Sequence, residues 1–171
     1  MKIVRKKVVF FGGRCTSLDG TERIPDAEMK TQVFNAVQIM AEESEGLVVA
    51  HDGSWSVGQW AGEAAVELTL PLRIILLAPF EVLTKKWERK HAAKLQDQIQ
   101  YSDDVIISGE TSDMAIDYAK HIEDIVDGCD MAVLFLPWRE KGVLIGVSQF
   151  IEYFKQVDRP VYLPLEDWKR L

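Results

Sequence analysis

The sequence predicts an α/β domain with three layers, α/β/α, around a mainly parallel sheet. Three observations carry that prediction. Strand-like and helix-like segments alternate along the whole chain. The strand-like segments are short and almost continuously apolar, as in Val8-Val9-Phe10-Phe11 and Met131-Ala132-Val133-Leu134-Phe135-Leu136. Strands with that pattern are covered on both faces, which is the habit of parallel sheets. The chain's 171 residues contain no repeat, low-complexity segment or linker, so residues 1–171 read as a single domain.

The elements follow in order. Val8 to Phe11 is the first strand, and it ends at Gly12-Gly13-Arg14. A polar loop from Cys15 to Pro25 leads to Asp26, placed to cap a long helix. Met29, Val33, Phe34, Val37, Ile39 and Met40 fall roughly on one side of that helix, and Gly46 stops it. Leu47 to Ala50 is the second strand. A helix from about Val57 to Leu68 follows, with Trp60, Ala61, Ala64, Ala65 and Leu68 at helical spacing. Pro71 separates it from the third strand, Leu72 to Leu77. After Pro79-Phe80 comes a polar helical stretch, roughly Thr84 to Gln100. Val105 to Ile107 is the fourth strand. Ser112 is placed to cap the next helix, which carries Met114, Ile116, Ala119, Ile122, Ile125 and Val126. Met131 to Leu136 is the fifth strand, closed by Pro137. The loop Trp138 to Gly142 leads to a helix from about Val143 to Gln156, and Val161 to Leu163 is a last short strand.

Composition narrows the function classes. The formal net charge is −7, which opposes non-specific binding to nucleic acid, because that binding is driven by neutralising phosphates. A small phosphorylated ligand needs only local positive potential. The longest apolar runs, such as Leu72 to Phe80, fall far short of the roughly 20 residues that span a bilayer, so no membrane partner is expected. The basic N-terminus lacks a secretory pattern, and a cytoplasmic protein is the expectation. Cys15 and Cys129 are far apart in sequence and form no C-x-x-C pair, which argues against a disulfide or zinc site. Cys129 reads as a buried small hydrophobe. No His, Asp and Glu cluster has metal-ligand spacing, so neither metal nor cofactor is predicted.

The stretch from Leu47 to Ala65 carries the chemistry. An apolar strand ends in a loop of small and polar residues, and an amphipathic helix begins there. The first N–H groups of such a helix lack partners, and its dipole adds partial positive charge, so its end favours anions. Gly53, Ser54 and Ser56 would supply N–H and hydroxyl donors to a phosphate, while Asp52 could accept from a ribose hydroxyl. Gly12 and Gly13 would let a ligand approach the backbone, and Arg14 could pair bidentately with a phosphate. After the fifth strand, Trp138 could stack on a base, with Arg139 or Lys141 meeting phosphate. Glu63, in the helix that follows, is a carboxylate that could stabilise an oxocarbenium-like centre or activate water. His51 reads as a packing residue, and His91 and His121 as solvent-facing.

Three segments together resemble the SLOG superfamily and, within it, the YpsA-like and LOG-like Rossmann-like nucleotide-binding proteins. They are Phe11-Gly12-Gly13-Arg14, the run Asp52 to Ala65, and Val126-Asp127-Gly128-Cys129-Asp130-Met131-Ala132-Val133-Leu134. The resemblance implies a Rossmann-like sheet with strand order 3-2-1-4-5 and a ligand groove between the first and fourth strands. It implies a nucleotide or an ADP-ribose- or NAD-related ligand. Some members cleave nucleotide N-glycosidic bonds, and others are sensors that bind without turnover. The family often self-associates, so a homodimer is among its implications. Asp52 stands where the family loop often has glycine, and Gly58 where it often has aspartate. The Pro-Gly-Gly-x-Gly-Thr-x-x-Glu signature of the phosphoribohydrolase branch is absent. The leading expectation is therefore a sensor or sequestering protein. The alternatives are an N-glycosidic hydrolase or transferase using Glu63 or Asp52, and an interaction module with a vestigial site whose partner anchors are Trp55 and Trp138.

Overall fold

The computed structural model describes residues 5–12, 24–77, 88–108, 114–135 and 145–162. The elements are β1 (Lys6–Gly12), α1 (Asp26–Glu43), β2 (Leu47–His51), α2 (Val57–Glu67), β3 (Leu72–Leu77), α3 (Arg89–Tyr101), β4 (Asp104–Ser108), α4 (Met114–Gly128), β5 (Met131–Phe135), α5 (Ile145–Gln156) and β6 (Val161–Tyr162). The strands form one sheet in the order β4-β3-β2-β1-β5-β6, and all five pairings are parallel. This is the predicted α/β/α sandwich.

Strand alternation divides the core in two. Val8, Phe10, Val49, Ile74 and Val133 face one way and pack with Met29, Val33, Ala61 and Leu95 of α1, α2 and α3. Val9, Ala50, Ile75, Ala132 and Leu134 face the other way, against Ile122, Ile125 and Phe154 of α4 and α5. The central strands are buried on both faces, which is why they read as continuous apolar runs.

That division of helices corrects the expected strand order. The helix between β3 and β4 packs on the same face as α1 and α2, through Leu95. The chain therefore keeps stepping outward, and β4 pairs with β3 at the sheet edge. Right-handed crossovers on one face can only continue in one direction. The return comes after β4, with α4 on the opposite face, and the fifth strand lands beside β1. Strand order reverses between β1 and β5, so the crevice that such sheets offer to ligands lies there and not between the first and fourth strands.

Smaller expectations also shift. Asp26 is the first residue of α1, and Pro25 takes the cap position without a side-chain bond. Ile39, Leu68 and Ile116 are exposed although each was in phase with an apolar stripe. At the edge strand, Val105 and Ile107 point outward beyond the reach of the helices.

Candidate functional site at the end of β2

The chain leaves β2 through His51-Asp52-Gly53-Ser54 and enters α2 at Val57. His51 is fully buried and orders this turn. Its Nδ1 accepts the N–H of Gly53 at 2.9 Å, and the carboxylate of Asp52 accepts the N–H of Ser54 at 3.1 Å. Gly53 sits at φ +85°, where a side chain is strained. Burial pulls the His51 pKa down to about 4, against the opposing pull of the Asp52 charge and the Gln98 side chain. The imidazole is therefore neutral, with Nδ1 as an acceptor.

Two glutamines complete the turn on the α3 side. Gln98 donates to the Gln59 carbonyl at 2.8 Å, and Gln59 donates to the His91 carbonyl at 3.1 Å. Both are buried. A Cβ on Gly62 would stand 1.9 Å from Gln98 Oε1 and 2.8 Å from His51 Nε2, so glycine lets these polar groups lie against the helix backbone. Gly58 does the same for Ser54 and Asp52, whose Oγ and Oδ1 lie 2.7 and 2.9 Å from its ideal Cβ position.

The start of α2 lies against β1. Ser56 holds the cap position but makes no capping bond, and its hydroxyl instead points to the Gly12 carbonyl at 3.5 Å. The Gln59 N–H goes to the Ser54 carbonyl and the Trp60 N–H to the Ser56 carbonyl. Among the described residues, Val57 and Gly58 have no backbone acceptor for their N–H groups, as expected for a helix start. Gly12 closes the other side. Its Cβ would fall 2.1 Å from the Phe135 carbonyl oxygen, so only glycine fits where β1 and β5 end together.

The sequence-predicted site residues thus separate into three groups. Gly12, Asp52, Gly53, Ser54 and Ser56 come together at the ends of β1 and β2. Gly13, Arg14, Trp138, Arg139 and Lys141 lie outside the described residues. Glu63 faces away from Asp52, into the seam between α1 and α3. Lys30 reaches it at 2.5 Å and Lys94 at 3.0 Å. Burial raises its pKa, but the two ammonium groups outweigh that and hold it below the usual carboxylate value.

A groove of about 540 Å³ runs along that seam, lined by Phe34, Glu63, Lys94, Gln98 and Tyr101 among others. Its size suits a small molecule, but it lies on the helical face rather than at the strand ends. Its Lys30 and Lys94 are opposed by Glu63, Glu67 and Asp97, so it offers no net positive potential to a phosphate. A smaller space of about 270 Å³ adjoins it and includes Trp55. The Trp55 ring packs on His91 with centroids 4.8 Å apart.

Sequence reasoning missed that α4 carries polar residues turned inward. His121 is 4% exposed, not solvent-facing, and its ring lies 6.3 Å from that of Tyr118. Burial lowers the His121 pKa and raises that of Tyr118, and the Asp52 charge acts on both. The signal was present in the spacing. His121 is in phase with Ile125, one turn on, and Tyr118 with Ile122 and Ile125, both buried.

Neither a protein-family model nor a curated protein matches this chain. Solved structures do. The chain is similar to the structural-genomics target TM1055, with 16% identity, a TM-score of 0.56, and coverage of 91% of this chain and 72% of that one. It is also similar to DNA processing protein A (DprA) from Streptococcus pneumoniae, with 19% identity and a TM-score of 0.57. That match covers 92% of this chain but only 50% of the DprA chain. Together with the parallel sheet and its reversal between β1 and β5, these likenesses establish a Rossmann-like fold.

Proposed function

We propose that this chain is a SLOG-type protein that binds a nucleotide or an ADP-ribose- or NAD-related small molecule at the C-terminal ends of β1 and β2, as a sensor or sequestering protein. The observation that carries this reading is the seating of the α2 start against the last residue of β1, with Ser56 Oγ 3.5 Å from the Gly12 carbonyl. Supporting it, the first N–H groups of α2 have no backbone acceptor among the described residues, and the helix end lies near the strand-order reversal, where sheets of this kind take ligands. Gly12 and Gly53 let the backbone of this turn close against Phe135 and Leu76. Arg14 and Lys141 follow β1 and β5 in sequence, the two strands that flank the reversal, and would add the cations. Trp138 would stack on the base.

Thermal unfolding against ADP-ribose, NAD, nucleoside monophosphates and their cyclic forms tests the reading. A ligand that binds only the native state adds about 2.7 kcal/mol at a hundredfold excess over its Kd. The expected result is a clear upward shift for at least one compound that disappears in Arg14→Ala. Flat curves across the panel with well-folded protein would sink the proposal.

A further inference from the structure

The groove between α1, α2 and α3 changes character along its length. Residues three or four apart on a helix share a face, so each helix sends successive turns into it. At one end Lys30 and Lys94 both grip Glu63, two ammonium groups on one carboxylate. Further along stand Phe34, Val66, Glu67, Asp97 and Tyr101. There the carboxylates of Glu67 and Asp97 make no ion pair or hydrogen bond among the described residues. Lys30 Nζ lies 5.6 Å from the centroid of the Phe34 ring, so a face of that ring is turned to the groove and already carries an ammonium group. Tyr101 donates its hydroxyl to the Leu70 carbonyl at 3.0 Å, which fixes the second ring in place. Tyr101 is 39% exposed and Val66 41%. Apolar surface is thus left uncovered beside two carboxylates that nothing neutralises.

We propose that this groove binds an organic ammonium ion with an apolar body, of the arylalkylamine kind. The site lies on the helical face, apart from the strand ends, and does not depend on the nucleotide reading. Charge complementarity selects the ligand class. Lys30 and Lys94 set against Glu63, Glu67 and Asp97 leave the groove with one net negative charge, which a monovalent cation cancels. The ammonium group would form charge-assisted hydrogen bonds with Glu67 and Asp97. Its apolar body would cover Val66 and lie against Phe34 and Tyr101, whose ring faces attract both apolar groups and cations. A neutral molecule of the same shape would leave the carboxylates unanswered, and an anion would meet them as like charges. The volume of about 540 Å³ accommodates such a molecule.

The test is calorimetric titration at low salt with phenethylamine, its neutral counterpart phenethyl alcohol, and the anion hydrocinnamate. The natural protein should bind the amine about fivefold or more tightly than the alcohol, bind the anion most weakly, and lose the preference as salt is raised. Glu67→Gln combined with Asp97→Asn should bring the amine down to the level of the alcohol. Both positions are exposed, so the fold should tolerate the change. Val66→Arg, which puts a cation of the chain's own into the groove, should abolish amine binding and so locate the site. Equal affinity for amine and alcohol, an amine preference untouched in the double variant, binding that survives Val66→Arg, or no saturable binding of the amine would each overturn the proposal. Nucleotide binding is a separate readout, and none of these results bears on it.

Discussion

The imidazole of His51 accepts the backbone N–H of Gly53 at 2.9 Å, and this bond holds the β2–α2 loop in shape. It exists only while Nδ1 is unprotonated. Burial depresses the His51 pKa from the ordinary 6.5 to about 4, so the unfolded chain binds a proton that the folded chain refuses. Stability is therefore complete above about pH 6.5, falls as pH drops from there towards 4, and levels off below. The loss is on the order of 3 kcal/mol from this residue. His121, depressed by burial in the same sense, adds to it. Urea midpoints measured between pH 7 and 4 should fall steeply, and His51→Asn, which keeps an acceptor near the Nδ1 position, should flatten that dependence. A profile unchanged by the substitution would remove His51 as its cause.

Gly12 should be the least replaceable glycine at the site. In Gly12→Ala the new methyl meets the Phe135 carbonyl oxygen at 2.1 Å, and backbone on the neighbouring strand cannot swing aside. The expected cost is about 2 kcal/mol or more, by forced separation of β1 from β5. Gly53→Ala meets Leu76 Cδ2 at 2.6 Å, which a rotamer change relieves, so its cost is chiefly the strain of φ +85°, about 1 kcal/mol. Denaturant midpoints of the two variants should rank in that order.

Glu63 separates a structural carboxylate from a catalytic one. With Lys30 and Lys94 both in contact, Glu63→Gln leaves two ammonium groups without their shared counter-charge. The partners are partly exposed, so the loss should be about 1 kcal/mol and should shrink in high salt. Lys94→Met should lower the cost of Glu63→Gln in a double-mutant cycle. Full additivity would mean that the ion pair contributes nothing to the fold.

The fold was legible because burial on both faces writes itself into the strands as continuous apolar runs, and every strand from Val8 to Tyr162 lies where those runs stand. Strand order was not legible. It depends on which face each helix covers, and nothing in the Arg89–Tyr101 sequence announces that Leu95 packs with α1 and α2 rather than with α4. The site was half legible. Small residues at Gly53, Ser54 and Ser56 marked the turn, and Gly12 marked its neighbour. The burial of His121 was hidden because polarity alone suggested solvent. Glu63 shows the converse. Its position in the first turns of α2 suggested the site, but helical rotation turns it towards Lys30 and Lys94.

Cys129 should be chemically silent in the folded protein. It is 2% exposed, and burial pushes its thiol pKa up to about 12, against the weaker pull of Arg73. The thiolate is the reactive form, so at pH 8 both its abundance and its access are suppressed. In a Cys15→Ser background, a thiol reagent should label the native protein far more slowly than the urea-unfolded one, by about a hundredfold or more. Labelling should accelerate with urea in step with global unfolding. Rapid labelling of the native chain would mean that the junction of α4 and β5 opens locally, and would place that segment among the low-stability parts of the fold.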